Sequence, residues 1–510
     1  FKFGGGCFLP DTYITTDKEV KKEFKLKASK DPKKFYAVWV LKSEGFVRKK
    51  CNCGTFFWTT DHDRTACGDP ACSGGFGFIN NSPAKQELDY IEVWQRFAKL
   101  FNKWGYTPIK RYPVVARWRD DTDFVQASIY DFQPYVVNGQ IKPPANPLTV
   151  PQFCLRFNDI DNVGVTGSHY TGFVMIGQHA FEPPEKYNQD QYFMDIKGWL
   201  NQGLKLKDDE IIFHEDAWAG GGNLGCCMEF FSSGCEIGNQ VYMLYEQRPN
   251  SIKDLNIKVL DMGMGMERNA WFSQGSNTMY DAAFPTVITK LLSSTGVQID
   301  NALMRKYVPY AGLLNLDEID DIDKAWKKVS NIINLDVKEL RTKITTISGI
   351  YSIAEHTRSL LIALNDGALP SNVGACYYLR VILRRSLSFI EKFKWNFKLW
   401  EVCFWHIDYL KKIFPELEEF KEEIEKILSI EEERYRKNRE RVRKIVERLK
   451  DKKIEIDELV SLYRSQGISP EDLGIEAPPE FYQRLYEKHE ISKKGKILEL
   501  DVSGIPKTQI

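Results

Sequence analysis

The sequence predicts an α+β fold: an antiparallel sheet flanked by helices, preceded by a small Cys-rich subdomain and followed by a mostly helical domain. Three observations lead there. Four cysteines crowd into residues 51–72. Residues 88–272 mix short apolar runs, such as Val241-Tyr-Met-Leu-Tyr245, with Gly, Asn and Pro turns, the texture of antiparallel strands. From about 278 the apolar spacing becomes three and four, as in Tyr378, Leu379, Ile382, Leu383 and Leu387, which is the period of helices. Strand and helix do not alternate regularly, which disfavours a doubly wound parallel sheet.

Composition bounds the function classes. The chain has 510 residues and a formal net charge of zero, with 43% hydrophobic and 13% aromatic residues. That is the length of several domains and enough apolar content to bury a core, so a disordered chain is excluded. No apolar run approaches the ~20 residues that span a bilayer, and the first residues lack a basic region followed by an apolar stretch. The expectation is a cytoplasmic protein without membrane association. There a cysteine cluster more often holds metal than a disulfide. Zero net charge does not exclude nucleic acid, because a binding footprint depends on where the charge lies.

In chain order, residues 1–87 read as an N-terminal extension carrying Cys51-Asn-Cys53 and Cys67-Gly-Asp-Pro-Ala-Cys72. Four thiolates in two close pairs suit tetrahedral Zn²⁺, with Cys51, Cys53, Cys67 and Cys72 as ligands. The C-x-C half demands a tight turn. The alternative is four buried thiols without metal. His62, between the pairs, reads as a surface loop residue. Cys7, Cys154, Cys226, Cys227, Cys235, Cys376 and Cys403 read as core or pocket-lining.

Residues 88–275 open with a helix over 88–104, followed by Tyr112-Pro113, where the proline begins a strand. Phe153-Cys-Leu-Arg156-Phe-Asn-Asp159 places Arg156 at the end of one strand, and His169-Tyr-Thr-Gly-Phe173 lies on a second. Such a hairpin offers a guanidinium to a phosphate and an aromatic face to a base. Asp261-Met-Gly-Met-Gly-Met-Glu-Arg268 adds glycines that admit a planar or phosphate-bearing ligand close to the backbone, and an Arg on a helix beginning near 265. Each of these taken singly is more often fold than function.

Residues 276–490 read as helical, with segments 340–365 and 374–393 and a Glu/Lys/Arg-dominated stretch over 415–451 that forms a long exposed helix or helical hairpin. Arg380, Arg384 and Arg385 share one helix, and Tyr377, Tyr378, Trp395 and Trp400 interleave with Lys392, Lys394 and Lys398. That pattern suits phosphate tracking along RNA; a solvated helix face is the alternative. Residues 491–510 form a Gly/Lys-containing tail.

In this order the strings match the three motifs of class II aminoacyl-tRNA synthetases, which build an adenylate-making antiparallel sheet. Asn158-Asp-Ile-Asp-Asn-Val-Gly164, Trp218-Ala-Gly-Gly-Gly-Asn223, Asp261-Met-Gly-Met-Gly, Ala354-Glu-His-Thr-Arg-Ser359 and Asp366-Gly-Ala-Leu-Pro-Ser-Asn372 resemble alanyl-tRNA synthetases. Arg111-Tyr-Pro-Val-Val-Ala-Arg-Trp-Arg-Asp-Asp121 and the cysteine-bearing N-terminus resemble their archaeal branch. The resemblance implies ATP, Mg²⁺ and L-alanine as reactants and tRNA-Ala as partner. It implies that Arg156 binds the α-phosphate, that Arg268 binds the γ-phosphate and covers the adenine, and that Phe173 stacks on the adenine beside Gly265. Asp261 would hold the alanine ammonium, Trp218 would wall the side-chain pocket, and Asn239 would contact the amino acid or adenylate. Asn372 would recognise the G·U wobble pair of the acceptor stem, alongside Arg380, Arg384, Arg385 and Arg464.

Three positions depart from the family pattern. Ser168 and Val174 stand where archaeal relatives carry Arg and Glu, the latter an acceptor near the adenine or amino acid. Arg464 stands in Leu462-Tyr463-Arg464-Ser465 where relatives place an Asp that partners Asn372. Arg cannot accept hydrogen bonds, so either recognition differs or Asp457 or Asp472 takes the role. Relatives continue into an editing domain and an oligomerisation region, so residues 491–510 read as a linker toward a missing editing part, deleted or separately encoded. The leading function is alanine–tRNA ligation. The alternative is a non-catalytic tRNA-binding synthetase paralogue.

Overall fold

The computed structural model describes residues 17–248, 251–316, 321–449, 454–475, 477–478 and 480–485. Cys7 and the expected linker 491–510 lie outside them. Two compact units partition the described residues: 17–113, 125–154 and 173–283 fall in the first, and 114–124, 155–172 and 284–485 in the second.

A nine-stranded sheet dominates the first unit. Its strands are β1 (Val47–Lys50), β2 (Phe56–Thr59), β3 (Thr107–Pro108), β4 (Leu148–Leu155), β5 (Gly172–Glu182), β6 (Ile212–Gly220), β7 (Asn223–Ser232), β8 (Cys235–Arg248) and β9 (Ser251–Gly265). Their spatial order is β1-β2-β6-β7-β8-β9-β5-β4-β3. The sequence sets the β6–β7 and β7–β8 hairpins locally. Each is joined by two residues at positive φ, Gly221-Gly222 (58°, 78°) and Ser233-Gly234 (47°, 81°), as the right-handed twist of paired strands requires. The cysteine-bearing hairpin is built into this sheet, because β2 pairs with β6 through Phe57 opposite His214. Farther along β6, the helix Asp17–Lys30 brings Lys21 and Lys25 onto Asp216 at 2.6 and 3.0 Å.

The expected helix after residue 88 is Tyr90–Lys103, started by a capping box between Asp89 and Glu92. The strand expected at Pro113 is not there. β3 is only Thr107–Pro108, and Tyr112 instead exchanges hydrogen bonds with the Gln152 side chain, N–H to Oε1 at 2.8 Å and Nε2 to the carbonyl at 3.1 Å. Proline has no N–H to continue a ladder, and the Gln152 amide takes over the pairing.

The second unit is helical, around Val337–Asn365, whose residues from Ile347 to Leu364 are all buried. Cys376–Phe393, Leu399–Leu410 and Lys421–Leu449 complete the bundle, the last preceded by a 3₁₀ turn at Pro415–Phe420. The segment just before Phe173 is pinned here. Thr171 and Gly172 donate their N–H groups to Glu355 at 2.7 and 2.8 Å, and Arg358 donates to the Gly172 carbonyl at 2.6 Å. Among the described residues no helix is long and apolar enough to cross a membrane.

Candidate active site

Antiparallel register sorts one face of the sheet into rows about 7 Å apart along the strands. The first row runs Trp218, Gly225, Met243, Val259, Phe181. The second runs Asp216, Cys227, Val241, Asp261, His179, and the third His214, Glu229, Asn239, Gly263, Gly177. Gly265 faces Met175 in the fourth, and Phe173 lies two residues further along β5. Strand periodicity therefore brings Trp218, Asp261, Asn239, Gly265 and Phe173 to one face in that order. Arg156 directly follows β4 in the second unit, where its N–H bonds to the Thr171 carbonyl at 2.8 Å.

The third row carries two glycines because neighbouring side chains cover them: a Cβ at Gly177 would meet His179 Nε2 at 2.3 Å and Ser128 Oγ at 2.8 Å, and one at Gly263 would meet Met175 Sδ at 2.9 Å.

Burial pushes the Asp261 carboxyl up to about 7. A carboxyl raised by burial in this way can accept a positively charged ligand. His179 stands opposite it, Nδ1 at 3.6 Å from Oδ1, with Nε2 at 3.1 Å from Ser128 Oγ. Burial drives this imidazole down to about 3, so it is neutral. Sequence reading missed His179, although it continues the 173, 175, 177 alternation. Arg268, on the helix Met266–Gln274, pairs with Glu236 at 2.9 Å and also donates to the Glu236 carbonyl at 3.1 Å. Glu229 is also pushed up, chiefly by burial, with Asp216 and Glu236 adding. Against the cost of burial, Lys21 and Lys25 hold Asp216 below its usual range, and Arg268 pairs with Glu236.

Val174 is held through its backbone. Its N–H donates to Glu267 at 3.0 and 3.1 Å, and the Tyr90 hydroxyl donates to the same carboxylate at 2.9 Å. Glu267, buried and one residue before Arg268, holds β5 next to Phe173.

The four expected zinc ligands converge. The Sγ atoms of Cys51, Cys53, Cys67 and Cys72 lie within 4.8 Å of one another, and Cys53 and Cys67 are 3.8 Å apart. Tetrahedral Zn–S bonds of about 2.3 Å put sulfurs about 3.8 Å apart, so the residues fit the metal. The tight C-x-C turn closes through Gly54 at φ 96°, with its N–H on the Cys51 carbonyl at 2.9 Å. His62 is exposed and outside the cluster. His214 bonds to the Cys67 carbonyl and lies 3.6 Å from Glu229, tying the cysteine loop to the third row.

The expected RNA-facing residues differ from one another. Asn372 and Arg464 are exposed; Arg384 and Arg385 are half-buried, Arg385 over the Phe389 and Tyr482 rings at 5.4 and 5.0 Å. Arg380 is buried against Glu431 at 3.0 Å, so its charge is taken up inside the unit and is not open to a phosphate. Of the two candidate aspartates, Asp472 is 5% exposed and bound to Arg439 and the Ser469 N–H, whereas Asp457 is 62% exposed.

Comparison with known proteins adds a family. Residues 92–476 match the family "tRNA synthetases class II (A)". Alanine–tRNA ligases of Methanocella arvoryzae and Nitrosopumilus maritimus are 45% and 38% identical, over 97% and 96% of this chain. That of Cenarchaeum symbiosum is 38% identical over 96%. The chain spans 55–57% of the length of these relatives.

Proposed function

The chain belongs to the class II (A) tRNA synthetases, and from that premise we propose that it activates L-alanine with ATP and transfers alanine to the 3′ end of tRNA-Ala. The order of the rows carries this reading. Trp218, packed against the cluster of Val241, Met243 and Cys227, would wall the alanine methyl group. Asp261, one row on, receives the ammonium. Asn239, a further row on, would meet the carboxylate or the adenylate. Gly265, Arg268 and Phe173 then serve the phosphates and the adenine, and Arg156 the α-phosphate.

Adenylation is an in-line attack of the alanine carboxylate on the α-phosphorus, with pyrophosphate leaving. The carboxylate is already ionised, so no general base is required, and catalysis rests on positioning and cationic stabilisation. The Arg268 guanidinium exchanges Glu236 for phosphate oxygens. Glu229 and Glu236 would offer the oxygen donors that Mg²⁺ prefers; bound there, the ion would supply charge neutralisation for the phosphates and the leaving group.

In the second unit, Asn372, Arg384, Arg385 and Arg464 would meet the acceptor stem. Charging of tRNA-Ala transcripts with labelled alanine tests the whole reading. Charging above a no-enzyme control, and greater on the wobble-pair stem than on its Watson–Crick variant, supports it. Binding of tRNA without alanine activation would favour the non-catalytic paralogue.

Zinc on the four cysteines would stabilise the β1–β2 hairpin, since structural zinc contributes folding free energy directly. One zinc per chain by elemental analysis, lost in the Cys67→Ser, Cys72→Ser double variant, is expected. A zinc-free protein purified without chelators would remove the claim.

A further inference from the structure

The loop 369–373 leaves Leu369 and Val373 in solvent, 57% and 74% exposed, on either side of an exposed Asn372. The Asn372 amide is not free to turn. Arg380 Nη1 donates to Asn372 Oδ1 at 2.5 Å. A guanidinium has donors only, so the atom facing it must be the oxygen, and the NH₂ end points elsewhere. Arg380 is itself fixed: Nη2 donates to the Pro370 carbonyl at 2.8 Å and to Glu431 at 3.0 Å, and Nε donates to Glu431 at 3.1 Å. Arg434 adds a further contact to Glu431 at 2.6 Å.

We propose that Arg380, braced by Glu431, is a positioning residue that makes Asn372 a donor-only reader of the acceptor-stem groove. This rests on the reading of Asn372 as a tRNA contact. A freely turning amide matches either a donor or an acceptor on a base edge and discriminates weakly. A locked one fits only where an acceptor, such as pyrimidine O2 or purine N3 in the minor groove, meets its NH₂. A wobble pair shifts the pyrimidine sideways relative to a Watson–Crick pair and moves its O2. A fixed donor registers that shift, whereas a turning amide accommodates it. Leu369 and Val373, apolar and flanking, suit the sugar walls of a groove better than its phosphates.

The test is binding of the full chain to acceptor-stem duplexes carrying either the wobble pair or its Watson–Crick counterpart, followed by fluorescence anisotropy across a salt series. Arg380→Met should lower the wobble preference about fivefold, the worth of roughly one hydrogen bond, without changing the salt slope. Arg380→Lys should recover part of the preference. Asn372→Asp keeps the acceptor that Arg380 needs but replaces the outward donor with a charged acceptor, so both stems should bind more weakly and the preference should fall to near unity, with thermal unfolding unchanged. Equal weakening on both stems with a flatter salt slope in Arg380→Met would mean a phosphate contact and would overturn the proposal. So would a retained wobble preference in Asn372→Asp, or no preference in the unmodified chain. None of these outcomes depends on alanine activation, which is measured separately by pyrophosphate exchange.

Discussion

Two guanidinium–carboxylate pairs, one in each unit, have nearly the same length and opposite availability. Arg268 and Glu236 meet at 2.9 Å with side chains 39% and 31% exposed. Arg380 and Glu431 meet at 3.0 Å with side chains 10% and 6% exposed. A half-exposed pair is weak and can trade its carboxylate for a phosphate. A buried pair holds two charges away from water, so breaking it costs stability. Distance does not separate an accessible cation from a sequestered one; burial does.

The largest expected effect tests the exposed pair. Arg268→Ala should lower alanine-dependent exchange more than a hundredfold, about 3 kcal/mol of transition-state stabilisation, while its urea midpoint stays close to that of the parent. Unfolding in step with the loss of activity would make Arg268 structural and erase the contrast. Glu431→Gln should do the reverse, lowering unfolding free energy by about 2 kcal/mol because the Arg380 charge is left buried with a weaker partner. A change too small to measure would mean that the second pair is as dispensable as the first.

The pH dependence sharpens the account of the activation face. Asp261 must be ionised to hold an ammonium, and burial holds its carboxyl at about 7. Alanine kcat/KM in the exchange reaction should therefore fall as pH drops through about 7, with a slope approaching one. His179, held down to about 3 by burial, is neutral through this range and adds no limb. Asp261→Asn should raise KM for alanine and flatten the profile; an unchanged KM would sink the assignment. The smallest effect falls on Glu236→Gln, which should cost under ~1 kcal/mol of stability, as measured by the same urea titration.

What the sequence made legible follows from local rules. Alternation along β9 and β5 places Asp261, Gly265 and Phe173 on one face, and the C-x-C and C-x₄-C strings foretell the four converging sulfurs. What it hid depends on distant partners. Arg380 reads as one more cation on a basic helix until Glu431, 51 positions on, claims it. Nothing near Val174 in the sequence tells that its N–H is held by Glu267. Pro113 suggests a strand start, yet Gln152 closes that edge with a side chain. A lone sequence carries periodicity and turn chemistry, not which buried charge meets which.

The central claim is that one face of the sheet assembles alanyl-adenylate from alanine and ATP. ATP–pyrophosphate exchange by the purified chain, with and without alanine, tests it most directly. The account predicts exchange that appears on adding alanine, saturates with it, and disappears in a folded Arg268→Ala variant. Exchange by the folded parent chain no faster with alanine than without it would contradict the claim.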